Sequence, residues 1–196
     1  LNPIALEIEA VPLARALITA EKDYTGQARA ILDLGATRSS LIIYDNHSIQ
    51  FSTILNFSGE LVTSAIEMGL KLTHQDSEAL KIKNGLKYDA KNPKYLTIAS
   101  ALAEKLIEEI KTALLFYREH FNNNNAINHI TMSGGMANWE NLDNFLSRQL
   151  KIQSNPGHAW KNLFNKKLDG YDEKKSLPLA CVIGLGLRAA QNSLQN

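Results

Sequence analysis

The spacing of apolar residues predicts strands and a helix in the first part of the chain. Residues 1–8 alternate apolar and polar side chains, which predicts a short strand. Residues 10–20 carry an apolar stripe at helical spacing, with Pro12 in the first turn. Residues 29–55 contain three apolar runs separated by turns, which is typical of three antiparallel strands. Because the central runs are nearly all apolar, we expect a sheet that is covered on both faces.

The rest of the chain predicts alternating helices and strands, and thus an α/β fold. Ser58 and Thr73 are the predicted N-caps of two successive helices, because a hydroxyl at this position accepts a hydrogen bond from the helix backbone. Gly184 and Gly186 lie inside the last predicted helix, where glycine lowers stability, so we expect close packing on a neighbour or on a ligand near the helix start. The other predicted elements are helices at 97–121, 139–150 and 176–191, strands at 127–132 and 151–155, and an irregular basic loop at 157–175.

Composition and charge describe an ordinary globular chain. Of its 196 residues, 44% are hydrophobic and 21% are charged, and the net charge is +1, so electrostatics give no reason to expect nucleic acid as a partner. No apolar run approaches the roughly 18 residues of a spanning helix, so we expect no direct insertion into a membrane. The single cysteine, Cys181, excludes an internal disulfide, which fits a cytoplasmic location. Because the chain starts at Leu1 without an initiator methionine, we expect a fragment.

The first stretch with candidate chemistry follows the first strand of residues 29–55. Asp33, Gly35, Ala36 and Thr37 form a tight turn in which successive backbone N–H groups can bind an anion. Asp33 is suited to hold Mg²⁺ through water, because this ion prefers oxygen ligands and keeps several waters. The alternative is an ordinary hairpin turn, in which Asp and Gly are common.

The second stretch lies between a predicted strand and a predicted helix. Gly134, Gly135 and Met136 form a loop where glycines let a flat ligand approach the backbone, and where helix N–H groups attract polar ligand atoms. The alternative here is a flexible loop with no ligand.

These stretches resemble the motifs of actin-like ATPases. Residues 33–41 resemble the second phosphate motif, residues 130–139 resemble the adenosine motif, and Glu78-Ala79-Leu80-Lys81 resembles the Glu-x-x-Lys helix beside the adenosine pocket. Within this superfamily, the order and spacing of cues along nearly the whole chain resemble the PilM family of type IV pilus assembly proteins, which are relatives of the cell-division protein FtsA.

The resemblance implies an actin-like (ribonuclease H-like) lobe, a mixed sheet with helices on both faces. Residues 1–27 would be a remnant strand and helix of the first lobe with a linker, and residues 28–196 the second lobe. The first phosphate motif would be absent, together with the subdomain that in this family helps to bind the cytoplasmic tail of the inner-membrane protein PilN. Surface that the first lobe covers would be exposed, so we expect possible self-association.

The resemblance also implies ATP and Mg²⁺ as ligands. Asp33 would orient Mg²⁺ or its water, and the backbone of residues 35–37 would hold the phosphates. Glu78 and Lys81 would meet the ribose or the base edge, while Gly134, Gly135 and Met136 would line the adenosine. Trp139 would either cover the adenine or pack in the core. No catalytic residue is assigned, because hydrolysis needs charge stabilisation from both sides of the phosphates.

The expected function is an ATP-binding scaffold of the type IV pilus platform, at the inner face of the bacterial inner membrane. One alternative is an interaction module with a decayed nucleotide site, in which residues 97–121 form a docking surface. Two others are an FtsA-like cell-division protein and a metabolite kinase, although no carboxylate stands out as a general base for a kinase. Glu78 and Lys81 have an alternative of their own, an exposed ion pair on a helix.

Overall fold

A computed structural model describes residues 6–122, 124–163 and 172–193. Most of the strand predicted at residues 1–8 lies outside these residues, and residues 6–8 are not in a strand. The strands are β1 (Ala28–Leu34), β2 (Ser39–Asp45), β3 (Ser48–Leu55), β4 (Ile127–Ser133) and β5 (Gln153–Pro156). The helices are α1 (Ala10–Leu17), α2 (Gly59–Leu70), α3 (His74–Asn84), α4 (Pro93–His120), α5 (Leu142–Leu150), α6 (Glu173–Ser176) and α7 (Ala180–Ser193), with 3₁₀ turns at Gly135–Asn138 and Leu177–Leu179.

The five strands form one mixed sheet in the order β3-β2-β1-β4-β5. The first three strands are antiparallel, as the sequence predicts, and β4 and β5 add to β1 in parallel. In this register Asp33 at the end of β1 pairs with Ser133 at the end of β4. The sheet therefore brings the two predicted ligand-binding stretches side by side.

Helices cover both faces of the sheet, which confirms the predicted fold class. Alternate residues of β1 point to opposite sides, so that Ala30, Leu32 and Leu34 enter a larger core while Ile31 enters a smaller one. Helices α2, α4 and α5 contribute to the larger core, and α1 and α7 contribute to the smaller one. Within the described residues, no helix has both the length and the apolar character that crossing a bilayer requires.

Two helix starts follow the local sequence signals. The Ser58 hydroxyl accepts a hydrogen bond from the Leu61 N–H at 3.1 Å, and the Thr73 hydroxyl accepts one from the Asp76 N–H at 3.1 Å. Both residues are thus the N-caps that the sequence predicts.

The helix predicted at 139–150 begins later than expected. A 3₁₀ turn occupies residues 135–138, and α5 starts only at Leu142, after Asn141 in a left-handed conformation with φ of 68°. The backbone N–H groups that follow Gly134 therefore belong to a short 3₁₀ turn rather than to the start of an α-helix.

The two glycines of α7 have different surroundings. A Cβ atom at Gly184 would lie 1.9 Å from the carbonyl oxygen of Pro12 in α1, whereas one at Gly186 would meet nothing within 4 Å among the described residues. Close packing on a neighbour is therefore confirmed for Gly184, and the described residues show no such neighbour for Gly186.

Candidate functional site

A cleft of about 610 Å³ opens at the carboxyl ends of β1 and β4. The β1–β2 turn, the starts of α2 and α7, helix α3 and the loop after β4 surround it. All the residues that the sequence assigns to ligand binding line this cleft: Asp33, Gly35, Ala36, Thr37, Glu78, Lys81, Gly134, Gly135 and Met136. The fold thus gathers three separate stretches of the chain into one site.

The β1–β2 turn is closed tightly and is fixed to the start of α2. The Gly35 N–H donates to the Arg38 carbonyl oxygen at 3.0 Å, and a Cβ atom at Gly35 would lie 2.6 Å from the same oxygen. The carbonyl oxygens of Gly35 and Ala36 accept hydrogen bonds from the N–H groups of Gly59 and Glu60, at 3.0 and 2.8 Å. Two N–H groups of the α2 start therefore bind the turn rather than face the cleft.

Asp33 is a largely buried carboxylate beside this turn. Burial raises the pKa of Asp33, and the nearby Glu9 carboxylate raises it further, against the opposing effects of the Ser133 hydroxyl and the Arg38 guanidinium. A carboxylate whose charge is incompletely compensated gains from a nearby cation. Among the described residues, no group of three or more His, Cys, Asp or Glu side chains is placed to hold a metal ion. Asp33 therefore suits a cation that takes most of its other ligands from water and a second molecule.

Lys81 is buried, so its interpretation as half of an exposed helical pair is wrong. Its ammonium group donates to the Gly59 carbonyl oxygen at 3.0 Å and to the Thr63 hydroxyl at 2.8 Å, and it pairs with Glu78 Oε2 at 2.5 Å. These three contacts use all three donors of the ammonium group. The Glu78 side chain keeps 42% of its surface exposed, so its carboxylate is the part of the pair that a ligand can reach.

Thr63 completes this network and was not singled out from the sequence. Its fully buried hydroxyl accepts a hydrogen bond from Lys81 Nζ, and its single proton is donated either to Glu78 Oε2 at 2.5 Å or to the Gly59 carbonyl oxygen at 3.0 Å. Burial alone would raise the pKa of Glu78, but the hydrogen bonds from Lys81 and Thr63 outweigh it and lower the pKa. The sequence signal for a residue such as Thr63 is a polar side chain on the apolar, inward-facing side of a predicted helix, where it must have a buried hydrogen-bond partner.

The two glycines after β4 serve different purposes. Gly134 has φ of +82°, and a Cβ atom there would lie 2.3 Å from the Leu34 carbonyl oxygen, so the close approach of β1 requires glycine. Gly135 has no such requirement, because a Cβ atom there would meet nothing within 4 Å in the described part of the chain. Its exposed backbone faces the open cleft, where a side chain would disturb a bound ligand.

Trp139 packs in the larger core, which is one of the two interpretations that its sequence position allows. It is 5% exposed, and its indole N–H donates to the Lys81 carbonyl oxygen at 3.2 Å. The ring therefore ties the loop after β4 to helix α3, which carries Glu78 and Lys81.

The protein is a mixed sheet covered by helices, with a cleft at the carboxyl ends of β1 and β4. Two glycine turns and a Glu-x-x-Lys helix surround this cleft. Together these features define one lobe of an actin-like ATPase fold. Solved structures share this fold. The chain matches a structure described as the PilM-PilN type IV pilus biogenesis complex with a TM-score of 0.81 and 20% identity, over 96% of this chain and 53% of that one. It matches MreB5 of Spiroplasma citri bound to AMPPNP with a TM-score of 0.67 and 13% identity, over 97% of this chain and 61% of that one. For the ethanolamine utilization protein EutJ of Carboxydothermus hydrogenoformans, the TM-score is 0.61 at 14% identity, over 91% and 53% of the two chains.

The family follows from the sequence itself. The sequence model of the type IV pilus assembly protein PilM matches residues 1–189, and the chain therefore belongs to this family. The chain spans about half the length of the pilus protein structure that it matches. A comparison with curated proteins found no match.

Proposed function

We propose that this chain binds an adenine nucleotide with Mg²⁺ in the cleft and acts as a nucleotide-binding scaffold in type IV pilus assembly. The observation that carries this proposal is the convergence of the phosphate-like turn, the Glu78–Lys81 pair and the glycine loop on one cleft. The MreB5 structure bound to AMPPNP, which shares the fold, supports a nucleotide as the ligand. The scaffold acts in the cytoplasm, at the inner face of the bacterial inner membrane.

Each part of the cleft has a role in this proposal. Asp33 holds Mg²⁺ through water, and the backbone N–H groups of residues 35–37 receive the phosphates. Gly134, Gly135 and Met136 line the adenosine. Gly134 keeps the backbone of this loop close to β1. Glu78 accepts a hydrogen bond from a ribose hydroxyl, and Lys81 positions Glu78, because the donors of the lysine are already used.

The proposal assigns binding to this chain and no fast hydrolysis. Phosphoryl transfer requires a positioned water and charge stabilisation around the whole phosphate group. Three glutamates of the cleft each lie beside a basic side chain: Glu9 beside Arg38, Glu60 beside His74, and Glu78 beside Lys81. None of the three is assigned as a general base. Nucleotide binding would then bias the docking of a partner. The complex named PilM-PilN supports a PilN-like inner-membrane protein as that partner, reached through its cytoplasmic tail and through the first lobe of the family.

The test is a calorimetric titration of Mg-ATP into the chain and into two variants, Asp33→Ala and Gly135→Val. A Cβ atom at Gly135 would meet no described atom within 4 Å, so we expect Gly135→Val to fold and to obstruct the glycine loop of the cleft. Gly186→Val is the matched control, because a Cβ atom there also meets no described neighbour within 4 Å, and Gly186 lies in α7 and does not line the cleft. Saturable binding that is lost in both cleft variants and kept in the control supports the proposal. Equal binding by Gly135→Val and the control contradicts it.

One observation favours the alternative of an interaction module with a decayed site. The Lys81 donors and the carbonyl oxygens of Gly35, Ala36 and Arg38 have partners within the protein, so these parts of the cleft are stable without a ligand. In that case Leu115 and Phe116, 43% and 42% exposed on α4, mark the docking surface. A folded chain that does not bind Mg-ATP, and whose partner binding is lost in Phe116→Ser, would favour this alternative.

A further inference from the structure

A group of cationic side chains lies at the end of the sheet opposite the cleft. Arg29 is near the start of β1 and His129 is near the start of β4, whereas Asp33 and Ser133 are at the ends of these strands. Because a strand rises about 3.3 Å per residue, Arg29 and Asp33 are about 13 Å apart along β1. Lys22 follows α1 and Lys161 follows β5. We refer to Lys22, Arg29 and Lys161 as the basic cluster.

An irregularity in strand pairing brings His129 beside the basic cluster. Ala28 pairs with Ile127 and Ala30 pairs with Ile130, so two residues of β4 lie opposite the single residue Arg29. Such a bulge redirects side chains and is common beside functional sites. As a result Arg29, His129 and Lys161 line the same cavity.

Buried neighbours hold the basic cluster in position. The Tyr24 ring, 5% exposed, has Lys22 Nζ and the Arg29 guanidinium carbon each at 5.4 Å from its centroid. Asn162 fixes the turn that carries Lys161, because its amide donates to the carbonyl oxygens of Arg15 and Ile18 at 2.8 and 2.6 Å. Tyr24 therefore holds Arg29 and the exposed Lys22 beside one ring, and Arg29 and Lys161 are both partly buried.

The basic cluster has no counter-charge in the described part of the chain, where no carboxylate lies within 4.0 Å of its three cations. Asp23 is adjacent to Lys22 in sequence, but it accepts hydrogen bonds from Thr25 and lies 3.9 Å from His47. Burial lowers the pKa of Lys161, and the charges of Arg29 and Lys22 lower it further. Burial and the Arg29 charge also lower the pKa of His129. Partly buried cations without an anion are unfavourable, so the arrangement suits a bound anion.

We propose that the basic cluster, together with His129, binds a phosphate group. The Arg29 guanidinium offers a planar fork that matches two phosphate oxygens, and Lys161 supplies a point charge. The neutral His129 imidazole supplies one further N–H donor. The phosphate group comes either from a free phosphate or from the headgroup of an anionic phospholipid, which present the same oxygen atoms. The cavity that Arg29, His129 and Lys161 line also extends to Gly135 and Met136, but the basic cluster itself does not line the cleft, and phosphate binding by the cluster does not depend on a nucleotide there.

The first test is a titration of the chain with inorganic phosphate at constant ionic strength, followed by NMR. We expect Lys161→Gln and Arg29→Gln to weaken phosphate binding at least tenfold. Lys105→Gln is the matched control, because it removes the same charge from an exposed position on α4, across the sheet from the cluster, and should leave the affinity unchanged. Equal affinity in all four proteins would overturn the proposal.

A second readout separates a binding site from a general effect of salt on stability. Bound phosphate should raise the pKa of His129 in the wild-type chain, because a nearby negative charge favours the imidazolium form. Lys161→Gln should raise the pKa of His129 without phosphate and should abolish the further rise on adding phosphate. In phosphate-free buffer this variant should also unfold at a higher temperature than wild type, since it removes an uncompensated charge. An unchanged pKa of His129 in wild type at saturating phosphate would contradict the proposal.

The Ala36→Glu variant distinguishes this site from the cleft, because it adds a carboxylate to the exposed turn of residues 35–37, which lines the cleft but not the cavity beside the basic cluster. Phosphate binding that persists in Ala36→Glu and is lost in Lys161→Gln supports the basic cluster, whereas the opposite pattern places the phosphate in the cleft and overturns the proposal. Flotation with phosphatidylcholine vesicles, with and without phosphatidylglycerol, identifies the source. Binding to the anionic vesicles that is lost in Arg29→Gln indicates a lipid headgroup, and phosphate binding without vesicle binding indicates a free phosphate.

Discussion

At the scale of single residues, the adjacent glycines Gly134 and Gly135 are under different structural constraints. The backbone of Gly134, with φ of +82°, lies against β1, whereas Gly135 faces open space in the cleft. The sequence shows only a Gly-Gly pair. Substitution of each glycine by the same small side chain therefore separates a requirement of the fold from a requirement of the ligand.

We expect Gly134→Ala to lower the free energy of unfolding by about 3 kcal/mol, because a Cβ atom there is both strained and in contact with the Leu34 backbone. Gly135→Ala should leave it unchanged or raise it by up to about 1 kcal/mol, since alanine restricts the unfolded chain. Chemical denaturation measures both. If the proposed function is correct, Mg-ATP affinity falls in Gly135→Ala although its stability does not. A Gly135→Ala variant as unstable as Gly134→Ala would contradict this account of the loop.

Asp33 should lower stability at neutral pH. Its pKa in the folded chain is raised by burial, so its contribution to stability is favourable below the unfolded-state pKa of about 4 and is lost as the pH rises through the folded-state pKa. Asp33→Asn should therefore raise the unfolding temperature at pH 7, and the difference from wild type should shrink as the pH falls to 4. Thermal denaturation at several pH values measures this. A lower unfolding temperature for Asp33→Asn at pH 7 would show that the carboxylate is a net stabilising group.

At the scale of secondary-structure elements, a polar network joins α2 to α3. Thr63 and the Gly59 carbonyl oxygen belong to α2, and Glu78 and Lys81 belong to α3. The buried ammonium group is stable there because each of its donors has an acceptor. The network therefore sets the position of the Glu78 carboxylate relative to the turn of residues 35–37.

Thr63→Val removes one hydroxyl at nearly constant volume, which leaves one donor of the buried Lys81 ammonium group without an acceptor and removes one hydrogen bond from Glu78. We expect a loss of about 1–3 kcal/mol in the free energy of unfolding, and weaker Mg-ATP binding without any direct contact to the ligand. Thr63→Ser should restore both. Thr112→Val is the matched control, because the Thr112 hydroxyl makes a similar bond of 2.9 Å to the Glu108 carbonyl oxygen on the exposed face of α4, and its loss should change stability by less than about 0.5 kcal/mol. Equal losses in the two variants would exclude a special role for Thr63.

The elements that the sequence predicts correctly are those with local signals. Apolar runs identify β1, β2 and β3, and hydroxyl side chains identify the starts of α2 and α3. The late start of α5 and the role of Thr63 depend on contacts between distant parts of the chain, which periodicity does not reveal. Asp45 is a further example, because it looks like a turn residue but is fully buried and accepts hydrogen bonds from Tyr117 and Asn125.

The candidate site divides in the same way. The residue types of the turn and of the glycine loop are visible in the sequence, and the resemblance to actin-like ATPases joins them. The difference between Gly134 and Gly135, and the burial of Lys81, appear only in the structure. The assignment of these residues to a nucleotide stays a prediction, as does the division of the chain at residue 28.

At the scale of the whole molecule, the two ends of the described chain pack on each other. Helix α7 crosses α1 at Gly184, and Glu7 pairs with Arg15 of α1 at 2.7 Å and with Arg188 of α7 at 2.5 Å. These two segments also carry exposed apolar side chains, among them Ile8 and Val182, which are 66% and 64% exposed. Self-association through such residues stays a prediction.

The two glycines of α7 test this packing. Gly184→Ala places a methyl group against the Pro12 carbonyl group, so α1 and α7 must separate, and we expect a loss of about 2–4 kcal/mol in the free energy of unfolding. The Gly186→Ala methyl group meets no neighbour among the residues that the structure describes, and this variant should stabilise the helix by up to about 1 kcal/mol. Urea denaturation of the pair, with the same substitution in the same helix, gives the comparison. Similar stabilities would show that the crossing of α1 and α7 contributes little.

The carbonyl oxygens of Gly35 and Ala36 accept hydrogen bonds from the first turn of α2, so this end of the helix is attached to the cleft. We refer to this attachment point as the pivot, because a rotation of α2 about it displaces the far end of the helix most. Helix α2 has 12 residues and is therefore about 18 Å long. A rotation of about 5° at the pivot moves the far end of α2 by about 1.5 Å. This displacement is large enough to change a surface to which another protein binds. Met68 lies near that end with 75% of its surface exposed, so the resonance of its methyl group should shift when the distant cleft is filled, and a resonance that stays fixed would mean that the pivot is rigid.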